Sequence, residues 1–232
     1  MQTFRSYLFI IWMFSFSIVA GLVCMPCLLK REWAIGFSAY WARGILAGLN
    51  VLCGVRDEIH GAENIPSEGC IIAAKHQSMW ETLRLQTLLP RPSFVLKKEL
   101  EHWPIFSWYC RASGFIFIDR EAGAKTLRDM TNKAKERLAE GAQIIIFPEG
   151  TRSAPGERLP YQPGVAALAK ALGAPTVPVS HNSGEHWTQP GPQKTPGVIE
   201  LTFHPAITDA SNRKLYLKAV ETAIEGEESS AS

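Results

Sequence analysis

The chain has 232 residues, with 24 lysines and arginines against 22 aspartates and glutamates, for a formal net charge of +2. Near-neutrality excludes a general nucleic-acid binder, which needs a basic excess. The length holds one membrane segment plus one domain of roughly 180 residues, and 7 tryptophans with 11 phenylalanines favour contact with something apolar.

Residues 7–29 carry no charged side chain, with Arg5 before them and Lys30-Arg31 after. As one helix this run would measure about 34 Å, close to the hydrocarbon thickness of a bilayer. It exceeds the apolar core of a cleaved signal peptide, no small-x-small site closes it, and Val23 spoils Gly21-Leu22-Val23-Cys24 as a lipoprotein site. A retained anchor is expected. In residues 33–52, Trp33, Phe37, Tyr40, Trp41, Ile45 and Leu49 recur at helical spacing around a single charge, Arg43. Two arrangements fit: a hairpin dipping into one leaflet, or one span beside one interfacial helix. Packing of the second helix on the domain is the plain alternative. If the first helix spans, Lys30-Arg31 favours a cytoplasmic location for its C-terminal side. The five cysteines, at 24, 27, 53, 70 and 110, are odd in number, and Cys24-x-x-Cys27 has no second ligand pair. They are read as small apolar residues of a reducing compartment.

From about residue 55 short apolar strands alternate with helices. Strands are expected at 70–74, 94–96, 115–118, 143–147, 176–179 and 198–203, and helices at 79–89, 104–112, 122–140, 164–172 and 211–224. This alternation implies an α/β domain, a largely parallel mixed sheet flanked by helices. In such sheets functional residues collect at the carboxyl ends of the strands. Four consecutive strand ends deliver His76, then Lys97-Lys98, then Asp119-Arg120, then Glu149-Gly150-Thr151-Arg152. If the strands are parallel, one histidine, carboxylates and up to four cations converge on one edge. Such a site suits a base-catalysed reaction on a phosphate-bearing substrate. Each member also has a plainer reading: Lys97-Lys98-Glu99 as a solvated helix start, Asp119-Arg120 as a turn pair, and Pro148-Glu149-Gly150-Thr151 as turn chemistry.

The stretch Lys75-His76-Gln77-Ser78-Met79-Trp80-Glu81 is the most informative. On one continuous helix a spacing of five turns two side chains about 140° apart. His76 and Glu81 therefore meet only if His76 lies in the turn and Glu81 reaches back from the first helical turn. A carboxylate on one imidazole nitrogen fixes the tautomer and leaves the other as a base. The competing reading is a capping box, with Ser78 as the helix N-cap and Glu81 satisfying the Ser78 amide.

Together these residues resemble the glycerolipid acyltransferase family, whose four blocks occur in order over roughly residues 60 to 205. The family's His-x4-Asp block, usually within Asn-His-Gln-Ser, reads here Lys75-His76-Gln77-Ser78-Met79-Trp80-Glu81. Next come Gly114-Phe115-Ile116-Phe117-Ile118-Asp119-Arg120, then Phe147-Pro148-Glu149-Gly150-Thr151-Arg152, then Val177-Pro178-Val179. Lys97-Lys98-Glu99-Leu100 matches a segment between the first two blocks. Glu81 stands where the family usually has Asp, which preserves the charge and lengthens the reach.

The resemblance implies transfer of a fatty acyl group from acyl-CoA or acyl carrier protein to the sn-2 hydroxyl of lysophosphatidate, giving phosphatidic acid. It implies His76 and Glu81 as the catalytic pair, and substrate binding by Lys97, Lys98, Arg120, Glu149, Gly150, Thr151 and Arg152. Oxyanion donors are sought among backbone amides near Gly150 or in the first turn after Ser78. No cofactor and no metal is expected, since His181 and His186 lack a third ligand at useful spacing. Ser78 is better used as a cap than as a nucleophile. Residues 1–54 then form a two-helix membrane-associating motif, 55–225 the catalytic domain and 226–232 a polar tail. The bilayer is the expected partner and the cytoplasmic face of the inner membrane the expected location. The alternatives are another acceptor, such as lyso-ornithine lipid or glycerol 3-phosphate, and a non-catalytic lipid-binding protein. A serine hydrolase would need Gly-x-Ser-x-Gly, which is missing.

Overall fold

The computed structural model describes residues 1–119, 124–187 and 190–227. Helices α1 (Gln2–Val23) and α2 (Arg31–Cys53) run antiparallel, joined by a 3-10 turn, Met25–Leu29. The apolar run is therefore not one helix through residue 29. The helix starts earlier, takes in Arg5 and stops at Val23, and Pro26 sits in the first turn of the 3-10 segment, where its missing N–H costs nothing. Arg5 enters the helix because its guanidinium caps the far end of α2, donating to the carbonyls of Leu52 and Val51. Gly44 and Gly48 of α2 let α1 approach closely: a Cβ at Gly48 would stand 2.2 Å from the Trp12 indole, and one at Gly44 2.4 Å from the Phe16 ring. Trp12 and Phe16 stack on each other, and Trp41 donates to the Ser17 hydroxyl.

The second helix packs on the domain. Gly54, at φ 72°, closes α2 and turns the chain into β1 (Val55–His60) within one residue. Ile45, Leu49 and Cys53 share one apolar cluster with Ile72 and Ala74 of β2 (Cys70–Ala74). Burying Ile45 and Leu49 contributes roughly 2–3 kcal/mol each. Helix α1 touches the domain at both ends. Phe9 meets Trp187 edge-on at 5.3 Å, while Tyr109 donates to the Gly21 carbonyl. Its outer face, including Phe4, Ile11, Phe14, Ile18, Val19 and Leu22, is exposed, and α1 is long and apolar enough to cross a membrane. An uncovered apolar face of this extent marks a membrane-associating surface.

The domain continues through α3 (Trp80–Leu88), β3 (Pro92–Lys97), α4 (Phe106–Ala112), β4 (Ile116–Ile118), α5 (Ala124–Ala139) and β5 (Gln143–Ile146). It closes with α6 (Pro163–Leu172), β6 (Thr176–His181), α7 (Ser183–His186), β7 (Gly197–Phe203) and α8 (Arg213–Glu225). The sheet order is β1-β7-β6-β2-β5-β3-β4. Strands β6, β2, β5, β3 and β4 are mutually parallel, while β7, with its parallel neighbour β1, runs the other way. The expected mixed, largely parallel sheet is what forms. Because side chains alternate across a strand, Ile72 and Ala74 face α2 and α3, while Ile71 and Ala73 face the cluster built with α6 and α8.

Two elements escape the sequence pattern. In β1 the charged Arg56, Asp57 and Glu58 interrupt the apolar alternation, as an edge strand tolerates. Helix α7 has four residues, too few to show a period. The aromatic segment around α4 divides: Tyr109 is buried against Phe37 of α2, while Trp103 and Trp108 remain exposed.

Replacing Gly44 and Gly48 together by leucine should separate α1 from α2, while the sheet and its clusters persist. Hydrogen exchange in detergent micelles checks this: faster exchange confined to α1 is the expected outcome, with core strand amides unchanged.

Candidate active site

The site begins where β2 ends. Ala73 pairs with Ile146 of β5 and Ala74 with Val179 of β6, so the chain leaving β2 at Lys75 emerges between two other strand ends. His76 lies in the turn and Glu81 is the second residue of α3. Glu81 reaches back, and the His76 Nδ1 to Glu81 Oε1 distance is 2.8 Å. The longer glutamate arm, in place of the family's aspartate, thus still closes the pair. The same carboxylate accepts the amides of Gln77 (3.0 Å) and Ser78 (2.9 Å) and the hydroxyls of Ser78 (2.8 Å) and Ser183 (2.9 Å). Helix α3 begins one residue later than a Ser78 cap predicts, with Met79 at the N-cap position, yet the Ser78 hydroxyl still accepts from the Trp80 amide at 3.0 Å. The glutamate half of a capping box, the Ser78 amide on the Glu81 carboxylate, coexists with the histidine–carboxylate pair, because one carboxylate has lone pairs enough for both.

The Glu81 side chain is fully buried and that of His76 is 17% exposed. Burial pushes the Glu81 carboxyl up, but the neighbouring His181, the His76 hydrogen bond and the Ser78 amide outweigh it and hold the pKa at about 2. His181, at the end of β6, is buried, which lowers its pKa against the pull of Glu81. Its Nε2–H donates to the Lys75 carbonyl (2.8 Å) and its Nδ1 accepts the Ser183 amide (3.3 Å), the pattern of a neutral ring. With both nitrogens engaged, His181 buttresses the turn. An ionised Glu81 takes the His76 Nδ1–H and leaves Nε2 as the basic nitrogen. Phe147, at the end of β5, stacks on the imidazole at 4.0 Å between centroids and fixes its plane.

The loop after β5 is clamped to the same turn. Ser153 donates its amide to the His76 carbonyl (2.8 Å), and the Glu149 carboxylate accepts the His76 amide (3.1 Å). The Ser153 hydroxyl stands 3.1 Å from Glu149 and Lys75 Nζ 3.6 Å from it. Glu149 is therefore spent inside the loop. Gly150, at φ 72°, makes the tight turn with its amide on the Phe147 carbonyl (3.0 Å). Thr151 and Arg152 are exposed at the tip, and Arg152 directly precedes the Ser153 that holds the His76 carbonyl.

The remaining expected residues sit along the same edge. Lys97 closes β3, Lys98 follows it, and Lys98 pairs with Asp119, beyond β4, at 3.4 Å. With strands about 4.8 Å apart, the β3 end lies about 10 Å from that of β2. Arg120 lies outside the described residues. The amides of Gln77, Ser78 and Gly150 all have acceptors. Those of Thr151 and Arg152 donate to no protein acceptor among the described residues. Ser183, Ser153 and His181 have no local sequence signal, and the block that opens at Phe147 does not announce its stacking on His76, because each meets the turn from a distant segment.

Burial raises the Glu149 pKa from 4.5 to about 7, against the opposing charge of Lys75. A carboxyl raised on folding adds stability that is full below its unfolded value and is lost as pH rises through the folded one. Glu149→Gln should therefore flatten the fall in stability between about pH 4.5 and 7, read from unfolding midpoints across that range.

The family model for acyltransferases matches residues 56–182. The 1-acyl-sn-glycerol-3-phosphate acyltransferase of Pseudomonas aeruginosa is 35% identical over 209 residues, 89% of this chain and 81% of that one. The human 1-acyl-sn-glycerol-3-phosphate acyltransferase alpha is 32% identical over 143 residues, 61% of this chain and 50% of its own. The crystal structure of the 1-acyl-sn-glycerophosphate (LPA) acyltransferase from Thermotoga maritima superposes with a TM-score of 0.81 at 25% identity, covering 97% of this chain and 95% of that one. With a sheet edge that assembles the family's blocks around the His76–Glu81 pair, this chain belongs to the acyltransferase family.

Proposed function

We propose that the protein transfers a fatty acyl group from an acyl thioester, acyl-CoA or acyl carrier protein, to the sn-2 hydroxyl of 1-acyl-sn-glycerol 3-phosphate. The observation that carries this reading is the 2.8 Å His76–Glu81 hydrogen bond at the edge where the cationic strand ends collect. An alcohol ionises far above neutral pH and needs a base as it attacks. His76 Nε2 takes the hydroxyl proton while the oxygen adds to the thioester carbonyl. The tetrahedral intermediate collapses, the carbon–sulfur bond breaks, and the imidazolium returns the proton to the departing sulfur. Glu81 stays ionised throughout and stabilises the imidazolium. The amides of Thr151 and Arg152, which donate to no protein acceptor among the described residues, are the donors for the oxyanion. The acceptor phosphate lies toward Arg152, Lys97 and Lys98, with Arg120 added by the family pattern. Glu149 and Gly150 shape the loop. The chemistry uses no cofactor and no metal.

The membrane hairpin supplies the reason for this location. Both acceptor and product are membrane lipids, so the site works at the bilayer surface. With α1 docked at both ends, the hairpin embeds its apolar outer face in one leaflet and keeps the domain at the interface. We assign that domain to the cytoplasmic side of the inner membrane.

The test is lysophosphatidate-dependent thiol release by detergent-purified protein. His76→Ala should lower kcat by at least about 100-fold without unfolding the chain. Arg152→Ala should raise the KM for lysophosphatidate about 10-fold or more, as loss of a charge-assisted contact does. Release with lyso-ornithine lipid but not with lysophosphatidate would overturn the acceptor assignment.

A further inference from the structure

The residue before His76 is a lysine where the family usually has asparagine, and the proposed acyl transfer gives it no role. Lys75 is nonetheless buried, its side chain 6% exposed. Its ammonium stands 2.6 Å from Glu225 Oε1, donates to the Glu157 carbonyl at 3.1 Å and lies 3.6 Å from Glu149 Oε1. A buried lysine is retained only where charge and hydrogen bonds compensate its lost hydration. Here two carboxylates share one ammonium, and the nearer comes from the far end of the chain.

Glu225 is the last residue of α8, where the helix dipole disfavours a negative charge. The position is held against that preference by several contacts. Arg158 donates to the Glu225 carbonyl at 2.7 Å, and Tyr161 donates to Glu225 Oε1 at 3.2 Å. A residue placed against its local rule and given this many partners points to a role beyond the helix.

The other end of the network reaches His76. Glu149 accepts the His76 amide, and Ser153 holds the His76 carbonyl, so this residue's backbone is gripped from both sides. A carboxylate at Glu149 can accept the His76 amide and the Ser153 hydroxyl together, while the protonated acid gives up one acceptor. We propose that Lys75 and Glu225 are positioning residues: the end of α8 competes with Glu149 for the Lys75 ammonium, and this competition sets how firmly Glu149 holds the His76 backbone. The charged and titratable groups facing this network are Glu149, Glu225, Tyr161, Arg158, His76 and His181, with Glu221 acting on Tyr161.

This inference rests on the proposed acyl transfer for its kinetic readout. The experiment measures lysophosphatidate-dependent thiol release against pH for the parent chain, Glu225→Gln and Lys75→Met. In parallel, hydrogen exchange is followed at the amides of residues 75–77. Glu225→Gln frees Lys75 for Glu149, so the acid limb of kcat should move about 0.5–1 unit to lower pH, with slower exchange at His76. Lys75→Met leaves Glu149 without its cation, so the limb should move to higher pH, with faster exchange. KM for the acceptor should stay within about twofold in both, as for groups that do not touch substrate. An unmoved limb and unchanged exchange in Glu225→Gln, or displacement of both variants in the same direction, would overturn the inference. Glu225→Gln keeps its shape and an acceptor for Tyr161, so it decides the question even where Lys75→Met fails to fold. If the parent chain releases no thiol, the reaction is wrong, and exchange at His76 still decides the positioning role.

Discussion

A carboxylate fully removed from water is tolerated only where donors replace its hydration, and Glu81 meets that condition with five. Those donors come from the turn between β2 and α3 and, through Ser183, from the segment after β6. The same contacts fix three things at once: where α3 begins, how the imidazole is oriented, and how the β6 end docks on the β2 end. Each carboxylate oxygen takes several donors, so no one of these roles is met without the others. That dependence ties the turn together without any substrate, and preorganisation is the condition under which the proposed base and oxyanion donors act efficiently.

Around this anchor the parallel sheet does the gathering. Strands β6, β2, β5, β3 and β4 point the same way, so their carboxyl ends meet at one edge. The loop after β5 is bonded to His76 through Glu149 and Ser153, which leaves Thr151 and Arg152 outermost. The proposed base and the cationic strand ends are thus spread over about 10 Å, set by strand spacing. The hairpin carries the apolar outer face without becoming a separate body. Its α2 face contributes to the same apolar cluster as the sheet, so hairpin and domain share one packed core.

The blocks that carry the chemistry were legible because each is local. An apolar run emptying into Lys75-His76, or into Phe147-Pro148-Glu149-Gly150, declares a strand end and its turn within a few residues. Their convergence followed from a general rule of parallel sheets. The strand β1 was not legible, since Asp57, paired with Arg84, shares the inward register of Val55 and Ile59 and breaks the alternation. The break in the first helix was misread for a related reason: hydropathy does not register that Pro26 ends an α-helix, nor that Arg5 finds carbonyls at the end of α2.

By itself the sequence determined the fold class, the family and the identity of the His76–Glu81 pair, because local periodicity and motif spacing encode them. Only the tertiary structure decided which partners complete the site. Ser183, His181, Phe147, Ser153 and Glu225 lie between 71 and 150 residues from the groups they hold. Spacing along the chain says nothing about contacts at that range; they exist because the sheet order brings distant strand ends side by side.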